Sequence, residues 1–308
     1  METIYAYLPQ TLKETINAMP SELKSQIEEI RVRIGKPIEV IAGRPFHLSH
    51  IVTLEEGQAL VNKLSQHSFY ALDEELRCGY LTIEGGHRVG LAGKVILEEG
   101  KVKALRYLSS FNLRIAREKP GVCYPLIPWL FEGKWKNTLI IGAPQTGKTT
   151  LLRDLARTAA TGTGIKQKDI APVKVGIVDE RSEIAGCVKG IPQLDIGLRT
   201  DILDACPKAE GMMMMIRSMS PDVLVADEIG RVEDGQAVAE AINAGITLIA
   251  TAHGSSYSEV VRRPIVQAMI ESGAFERFIE LSSEKGVRSF KVLDQSGQEL
   301  MSPARMGQ

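Results

Sequence analysis

The sequence predicts an α/β protein: a doubly wound, mainly parallel sheet over residues 137–308, preceded by an N-terminal α+β domain over residues 1–118. Three observations point there. After residue 137, short apolar runs alternate with segments of helical period. A glycine-rich turn joins the first such run to the first such helix at Gly142–Thr149. Between Glu118 and Lys136 the chain concentrates Pro120, Gly121, Pro125, Pro128 and Gly133, which places an inter-domain linker at 119–136.

In the first domain, Leu8 to Ile30 carries two short amphipathic helical patterns separated by Pro20, with Ser21 placed to cap the second. Glu29-Ile-Arg-Val-Arg-Ile34 alternates polar and apolar, the strand period. Gly35 to Pro37 turns the chain, and Ile38 to Ile41 returns it. A helix is expected over Leu54 to His67. Gly79 to Glu84, the Gly85-Gly86 turn and His87 to Leu91 read as a hairpin, with two further short strands at Val95–Leu97 and Lys101–Leu105.

In the second domain, strands are expected at 138–142, 173–179, 222–227 and 246–251, and helices near 149–160, 208–219 and 233–244. A helix near 257–272 follows, then Phe275–Leu281 and Val287–Leu293 as an antiparallel pair closing the sheet. Ser302 to Gln308 is expected to fray. Met212 to Met215 is read as helical core or subunit contact, because methionine fills irregular apolar gaps.

Chemistry concentrates at strand ends. Gly142, Ala143, Pro144, Gln145, Thr146, Gly147, Lys148 and Thr149 form a complete phosphate-binding loop, and Thr150 opens the helix behind it. Glycine lets the backbone wrap a phosphate so that several N–H groups point inward, and the helix start adds partial positive charge. Lys148, expected as a surface cation, would reach the β/γ-phosphates, and the Thr149 hydroxyl would ligate Mg²⁺. Val223-Leu-Val-Ala is a buried strand ending in Asp227 and Glu228. It is expected beside the strand that leads into the phosphate loop, with Asp227 holding Mg²⁺ and Glu228 orienting and deprotonating water. Ile177-Val-Asp179-Glu180-Arg181-Ser-Glu183 ends another strand and offers Glu180 for a similar task. Thr251-Ala252-His253-Gly254 ends a fourth, where a polar group can sense a γ-phosphate. Charge that develops on a transferring phosphoryl group wants a cation. Lys148 is one, and Arg88, Arg106, Arg114, Arg117, Arg199 and Arg217 are further candidates.

The 308 residues carry 37 Lys and Arg against 38 Asp and Glu, a formal net charge of −1, so no global basic field points to nucleic acid. Aromatic content is 5%, which speaks against base-stacking single-strand binding. Cys78, Cys123, Cys187 and Cys206 are scattered without a CxxC pair and read as reduced thiols. The start METIYAYLPQ has neither the basic opening nor the apolar core of a secretory leader, and no run approaches a membrane span. The guanine-selecting Asn-Lys-x-Asp string is missing, which favours ATP.

The phosphate loop, the acidic box Asp179–Glu183, the acid-ended strand Val223–Glu228 and the histidine box Thr251–His253, in this order, resemble the secretion-type hexameric ATPases of type II secretion and type IV pili. The strings EEIRVRIGKPIEV, GHRVGLAGKV and GLRTDILDACPKAEGMMMMIRSMSPDVLVADEIG resemble the branch of that group that acts in endospore formation, and they cover both domains. Secretion ATPases usually have glycine where this chain has Asp227, so the magnesium site looks more like that of ordinary RecA-type ATPases. The resemblance implies a RecA-like P-loop core and a cytoplasmic, Mg²⁺-dependent ATPase. It implies a homo-oligomer, a hexameric ring, docked on membrane proteins of a channel between mother cell and forespore. It leaves Glu228 and Glu180 as alternative general bases. Two other readings stand beside the motor: a nucleic-acid-dependent RecA-like ATPase, and a nucleotide-gated scaffold with little turnover.

Overall fold

Strand-period alternation builds the first unit. The computed structural model describes residues 2–65, 79–165, 168–284 and 287–305. It divides into one unit of Met1–Arg117 with Gly186–Gln193, and a second of Glu118–Ala185 with Leu194–Gln308. In the first, helices α1 (Glu2–Tyr7), α2 (Gln10–Asn17) and α3 (Ser21–Ser25) lead into β1 (Glu29–Arg33), β2 (Pro37–Ala42) and β3 (Arg44–Ile51). Then come α4 (Leu54–Leu64), β4 (Tyr80–Ile83), β5 (His87–Glu98) and β6 (Lys101–Arg114). Thr53 and Glu56 form a reciprocal capping box that starts α4. Residues 66 and 67 of the expected helix, and Cys78, lie outside the described residues.

These six strands form an antiparallel sheet in the order β3-β2-β1-β6-β5-β4. Ile30 and Val32 of β1 and Ile38 and Val40 of β2 point to one face and are buried there with Leu8, Leu12 and Ile16. The two short strands expected at 95–97 and 101–105 are instead the distal halves of β5 and β6, one long hairpin kept irregular by register shifts.

The second unit opens with a 3₁₀ turn (Tyr124–Leu126) and α5 (Ile127–Leu130), so part of the stretch read as linker carries buried side chains, among them Cys123, Leu126, Ile127 and Leu130. The chain continues through β7 (Thr138–Gly142), α6 (Lys148–Thr161), β8 (Thr163–Ile165), β9 (Lys168–Ile170), β10 (Val175–Asp179) and β11 (Thr200–Asp204). It then forms α7 (Lys208–Ser218), β12 (Val223–Ala226), α8 (Val232–Asn243) and β13 (Thr247–His253). Short α9 (Tyr257–Val260), α10 (Pro264–Glu271), β14 (Arg277–Glu284), β15 (Val287–Asp294) and β16 (Glu299–Arg305) complete it. Pro264, which cannot continue a helix from its predecessor, splits the helix expected over 257–272.

The eight-stranded sheet runs β11-β10-β12-β13-β7-β14-β15-β16, parallel from β11 to β14 and antiparallel thereafter. Two expectations are corrected here. The acid-ended strand β12 is not the neighbour of β7, because β13 lies between them. The antiparallel pair does not close the sheet, because residues 299–305, taken in part as a frayed tail, add β16. Leu139, Val178, Leu224 and Leu248 pack with Met212 and Met215 of α7, with α8 and with α10 in one apolar cluster. The intervening Ile140, Ile177, Val225 and Ile249 are buried too, so both faces of these strands are covered.

Candidate functional site

Strands β7, β10, β12 and β13 are parallel neighbours, so their carboxyl ends emerge at one sheet edge, where open α/β sheets bind ligands. The phosphate loop leaves β7 there. Gln145 (φ 64°) and Gly147 (φ 102°) take left-handed backbone conformations that curl the loop. A Cβ on Gly142 would stand 2.5 Å from Thr146 Oγ1, so only glycine lets β7 turn into the loop this tightly. Thr146 Oγ1 donates to the Ala143 carbonyl at 2.8 Å and fixes the curl.

Lys148 is buried, not a surface cation. Its Nζ donates to the carbonyls of Gly142 at 2.8 Å and Ala143 at 3.1 Å, inside the loop. Burial lowers the pKa of this ammonium, and the carboxylates of Asp227, Glu228 and Glu183 oppose that shift. Thr149 Oγ1, one residue on, donates to Asp227 Oδ2 at 2.9 Å. The other Asp227 oxygen accepts from Thr251 Oγ1, and the Thr251 hydroxyl accepts from the Glu228 N–H at 2.8 Å. Thus the start of α6, the end of β12 and β13 are tied together through polar side chains.

Glu228 has φ 53°, an uncommon conformation for a non-glycine residue. Both of its backbone polar groups are held, the N–H by Thr251 and the carbonyl by Lys208 Nζ at 2.6 Å. Its carboxylate pairs with Arg181 at 2.8 Å at a half-exposed position. Lys208 is 4% exposed and also meets Glu180 at 3.3 Å, while Arg231 meets Glu180 from outside at 3.3 Å. Asp179 is turned inward. Its carboxylate accepts from the N–H groups of Glu183, Ile184 and Ala185 at 2.8–2.9 Å and shapes the loop that presents Glu180 and Arg181. Burial pushes the Asp179 pKa up to about 6 against those three donors.

Asp179, Glu180, Arg181, Glu183, Lys208, Asp227, Glu228 and Arg231 line a cleft of about 160 Å³. Of the sequence-derived candidates, Lys148, Thr149, Asp227, Glu228 and Glu180 therefore converge. His253 is exposed at the end of β13, level in register with Gly142. Its carbonyl accepts from Arg263, and Gly254 N–H donates to Gly142 O at 3.2 Å. Arg217 lies exposed in the last turn of α7, nine residues from Lys208 and roughly 13 Å along the helix. It does not line the cleft. Arg199 donates to the Pro172 carbonyl. Within the first unit, Arg88 lies over the Tyr80 ring, Arg114 is near Glu29, and Arg117 donates to the carbonyls of Ser25 and Ile27.

Residues 1–300 match the family described as sporulation stage III, protein AA. The chain belongs to that family. It is 53% identical over 302 residues to stage III sporulation protein AA of Bacillus subtilis (strain 168), covering 97% of each. Over 136 residues, 44% of this chain, it is 31% identical to protein SEEDLING PLASTID DEVELOPMENT 1 of Arabidopsis thaliana, covering 19% of that protein. Among solved structures it resembles the Legionella pneumophila ATPase DotB, with a TM-score of 0.60, 16% identity, and 94% and 81% of the two chains covered. The pilus retraction motor PilT with bound ADP gives 0.56 and 16%, with 92% and 82% covered. The fold is thus the one seen in the ATPase DotB and the pilus retraction motor PilT.

Sequence reasoning passed over Lys208 and Arg231, since single cations read as surface charge. A signal was available for Lys208. A lysine at the first position of a helix opposes the helix dipole, which is tolerable only beside an acid or a carbonyl.

Proposed function

We propose that this chain is a Mg²⁺-dependent ATPase that drives a membrane-associated secretion or channel complex in endospore formation. The observation that carries the reading is the Thr149–Asp227 hydrogen bond. It brings the loop hydroxyl and a strand-end carboxylate together from segments 78 residues apart. Two hard oxygen donors side by side suit Mg²⁺, which takes few protein ligands and fills its remaining positions with water and phosphate. Thr149 and Asp227 would hold it, and the chemistry it would supply is neutralisation of phosphate charge.

The loop amides and Lys148 bind the ATP phosphates. For this, Lys148 exchanges its bonds to the Gly142 and Ala143 carbonyls for phosphate oxygens. Glu228 is the base that orients and deprotonates water. Its tether through Thr251 to Asp227 fixes it beside the metal-holding carboxylate. For catalysis the carboxylate must leave Arg181, which frees that guanidinium for the transferring phosphoryl group. Glu180, clamped by Lys208 and Arg231, shapes the water pocket. In the full motor, copies of the chain form a ring, a hexamer, docked on membrane proteins of the channel. No helix among the described residues is long and apolar enough to cross a membrane.

Steady-state phosphate release with Mg²⁺-ATP tests this reading. Glu228→Gln is expected to reduce turnover by about 10²-fold or more while ATP still binds, the usual range for removing a general base. Glu180→Gln should cost less. Equal turnover in wild type and Glu228→Gln would remove Glu228 as the base, and no turnover in wild type under any oligomeric state would leave a nucleotide-gated scaffold.

A further inference from the structure

One guanidinium at the phosphate loop has no role in the scheme above. Strand β14 runs parallel to β7, with Leu281 opposite Gly142, so its carboxyl end lies beside the start of the loop. Strand β15 returns antiparallel with Arg288 opposite Ser283, which sets Arg288 at the same sheet edge. Strands β13 and β12 lie on the other side of β7, so Asp227 and Glu228 approach the loop from one flank and Arg288 from the opposite one.

The Arg288 side chain lies against Gly147. A Cβ placed on that glycine would be 3.7 Å from Arg288 Cδ, 3.8 Å from Nη1 and 3.9 Å from Nε. Other cations around the site are engaged: Lys148 with loop carbonyls, Arg181 with Glu228, and Lys208 and Arg231 with Glu180. Arg288 is part-buried, and its guanidinium has no hydrogen bond or ion pair among the described residues. A planar fork of five donors, held against the phosphate loop with no partner among those residues, calls for an anionic acceptor. In such loops the amides cradle the α/β-phosphates, while the lysine reaches further to the β/γ pair.

We propose that Arg288 is a nucleotide ligand supplied by the same chain, binding the α/β-diphosphate common to ADP and ATP. The inference rests on the nucleotide-binding reading given above. It assigns to β15, which carries no recognisable motif, part of the affinity for nucleotide.

Fluorescence titration of the full chain with labelled ADP and labelled ATP in Mg²⁺ buffer tests it, using wild type, Arg288→Ala, Arg288→Lys and Lys148→Ala. Arg288→Ala is expected to weaken ADP and ATP binding by similar factors, tenfold or more. Arg288→Lys, which keeps the charge and loses the fork, should fall between it and wild type. A wild type that binds and an Arg288→Ala variant with unchanged ADP affinity would overturn this inference alone. A loss confined to ATP would overturn it too, since the arginine would then read the γ-phosphate. A wild type that binds neither nucleotide would overturn the nucleotide-binding reading itself. Arg288→Ala and Arg288→Lys that unfold at the wild-type temperature establish that any change is local.

Discussion

Lys148 is poised by burial. An ammonium at 7% exposure is kept charged by two carbonyl acceptors and by the carboxylates facing it, while burial alone drives its pKa down. An incoming triphosphate offers better acceptors than backbone carbonyls, and so it can take the side chain over without a desolvation step. Lys148→Ala is expected to weaken ATP binding by about 100-fold, the value of one or two charge-assisted bonds. The protein should still fold, because the Gly142 carbonyl keeps the Gly254 N–H as a donor and the Ala143 carbonyl keeps the Thr146 hydroxyl. Isothermal titration and thermal unfolding of the same preparation check both halves. Wild-type affinity in Lys148→Ala would remove the phosphate-loop assignment. The neighbouring Glu228 shows another residue-scale device: a left-handed φ of 53° is retained because both its N–H and its carbonyl are bonded.

At the scale of elements, seating of helices on the sheet fixes how the polar groups meet. Gly211 lets α7 approach β10: an added Cβ would stand 2.5 Å from Val178 Cγ1 and 3.1 Å from Cys206 Sγ. Helix propensity favours Gly211→Ala by about 1 kcal/mol, but overpacking costs roughly 1–3 kcal/mol. We expect net destabilisation, together with slower turnover as Lys208 at the head of α7 shifts from Glu180; denaturant midpoints and phosphate release check this. A midpoint at or above wild type would show that α7 can step outward freely. The central strands were legible in the sequence because strands buried on both faces are continuous apolar runs, as in Val223-Leu-Val-Ala. The peripheral ones were not. β11 is half-buried throughout, with neither an apolar run nor clean alternation, while Pro45 at the exposed edge of β3 and Pro303 in β16 argue locally against a strand. Strand order was also hidden. That β13 lies between β7 and β12 is a non-local choice that no local pattern encodes, yet Thr251 on β13 bridges Asp227 and Glu228 only because of it. Likewise the loop, Asp227, Glu228 and Glu180 were found from strand ends, whereas Lys208 acquires its meaning from residues 20 and 28 positions away.

At the scale of the whole molecule, the two units carry buried titratable groups of opposite sign in their response to acid. His87 in the first unit is 6% exposed, and its Nδ1 accepts the Ala116 N–H at 3.1 Å, which requires a neutral ring. Burial lowers its pKa from 6.5 to about 4. The unfolded chain therefore binds more protons than the native one between these values, and stability is lost as pH falls from 6.5 toward 4. The loss is about 1–2 kcal/mol once solvent at the ring edge is allowed for. Asp179 in the second unit has its pKa raised from 3.8 to about 6, so in its window the native state holds the extra proton and acidification favours folding. Moving from pH 7 to pH 5 should therefore weaken the first unit relative to the second. Amide exchange of β1, β5 and β6 against β7, β10 and β12 reads the two separately. His87→Asn supplies an amide oxygen near the Nδ1 position and does not titrate, so it should flatten the pH response of the first unit while leaving that of the second. Equal loss of protection in wild type and His87→Asn between pH 7 and 5 would show that His87 is not the group responsible.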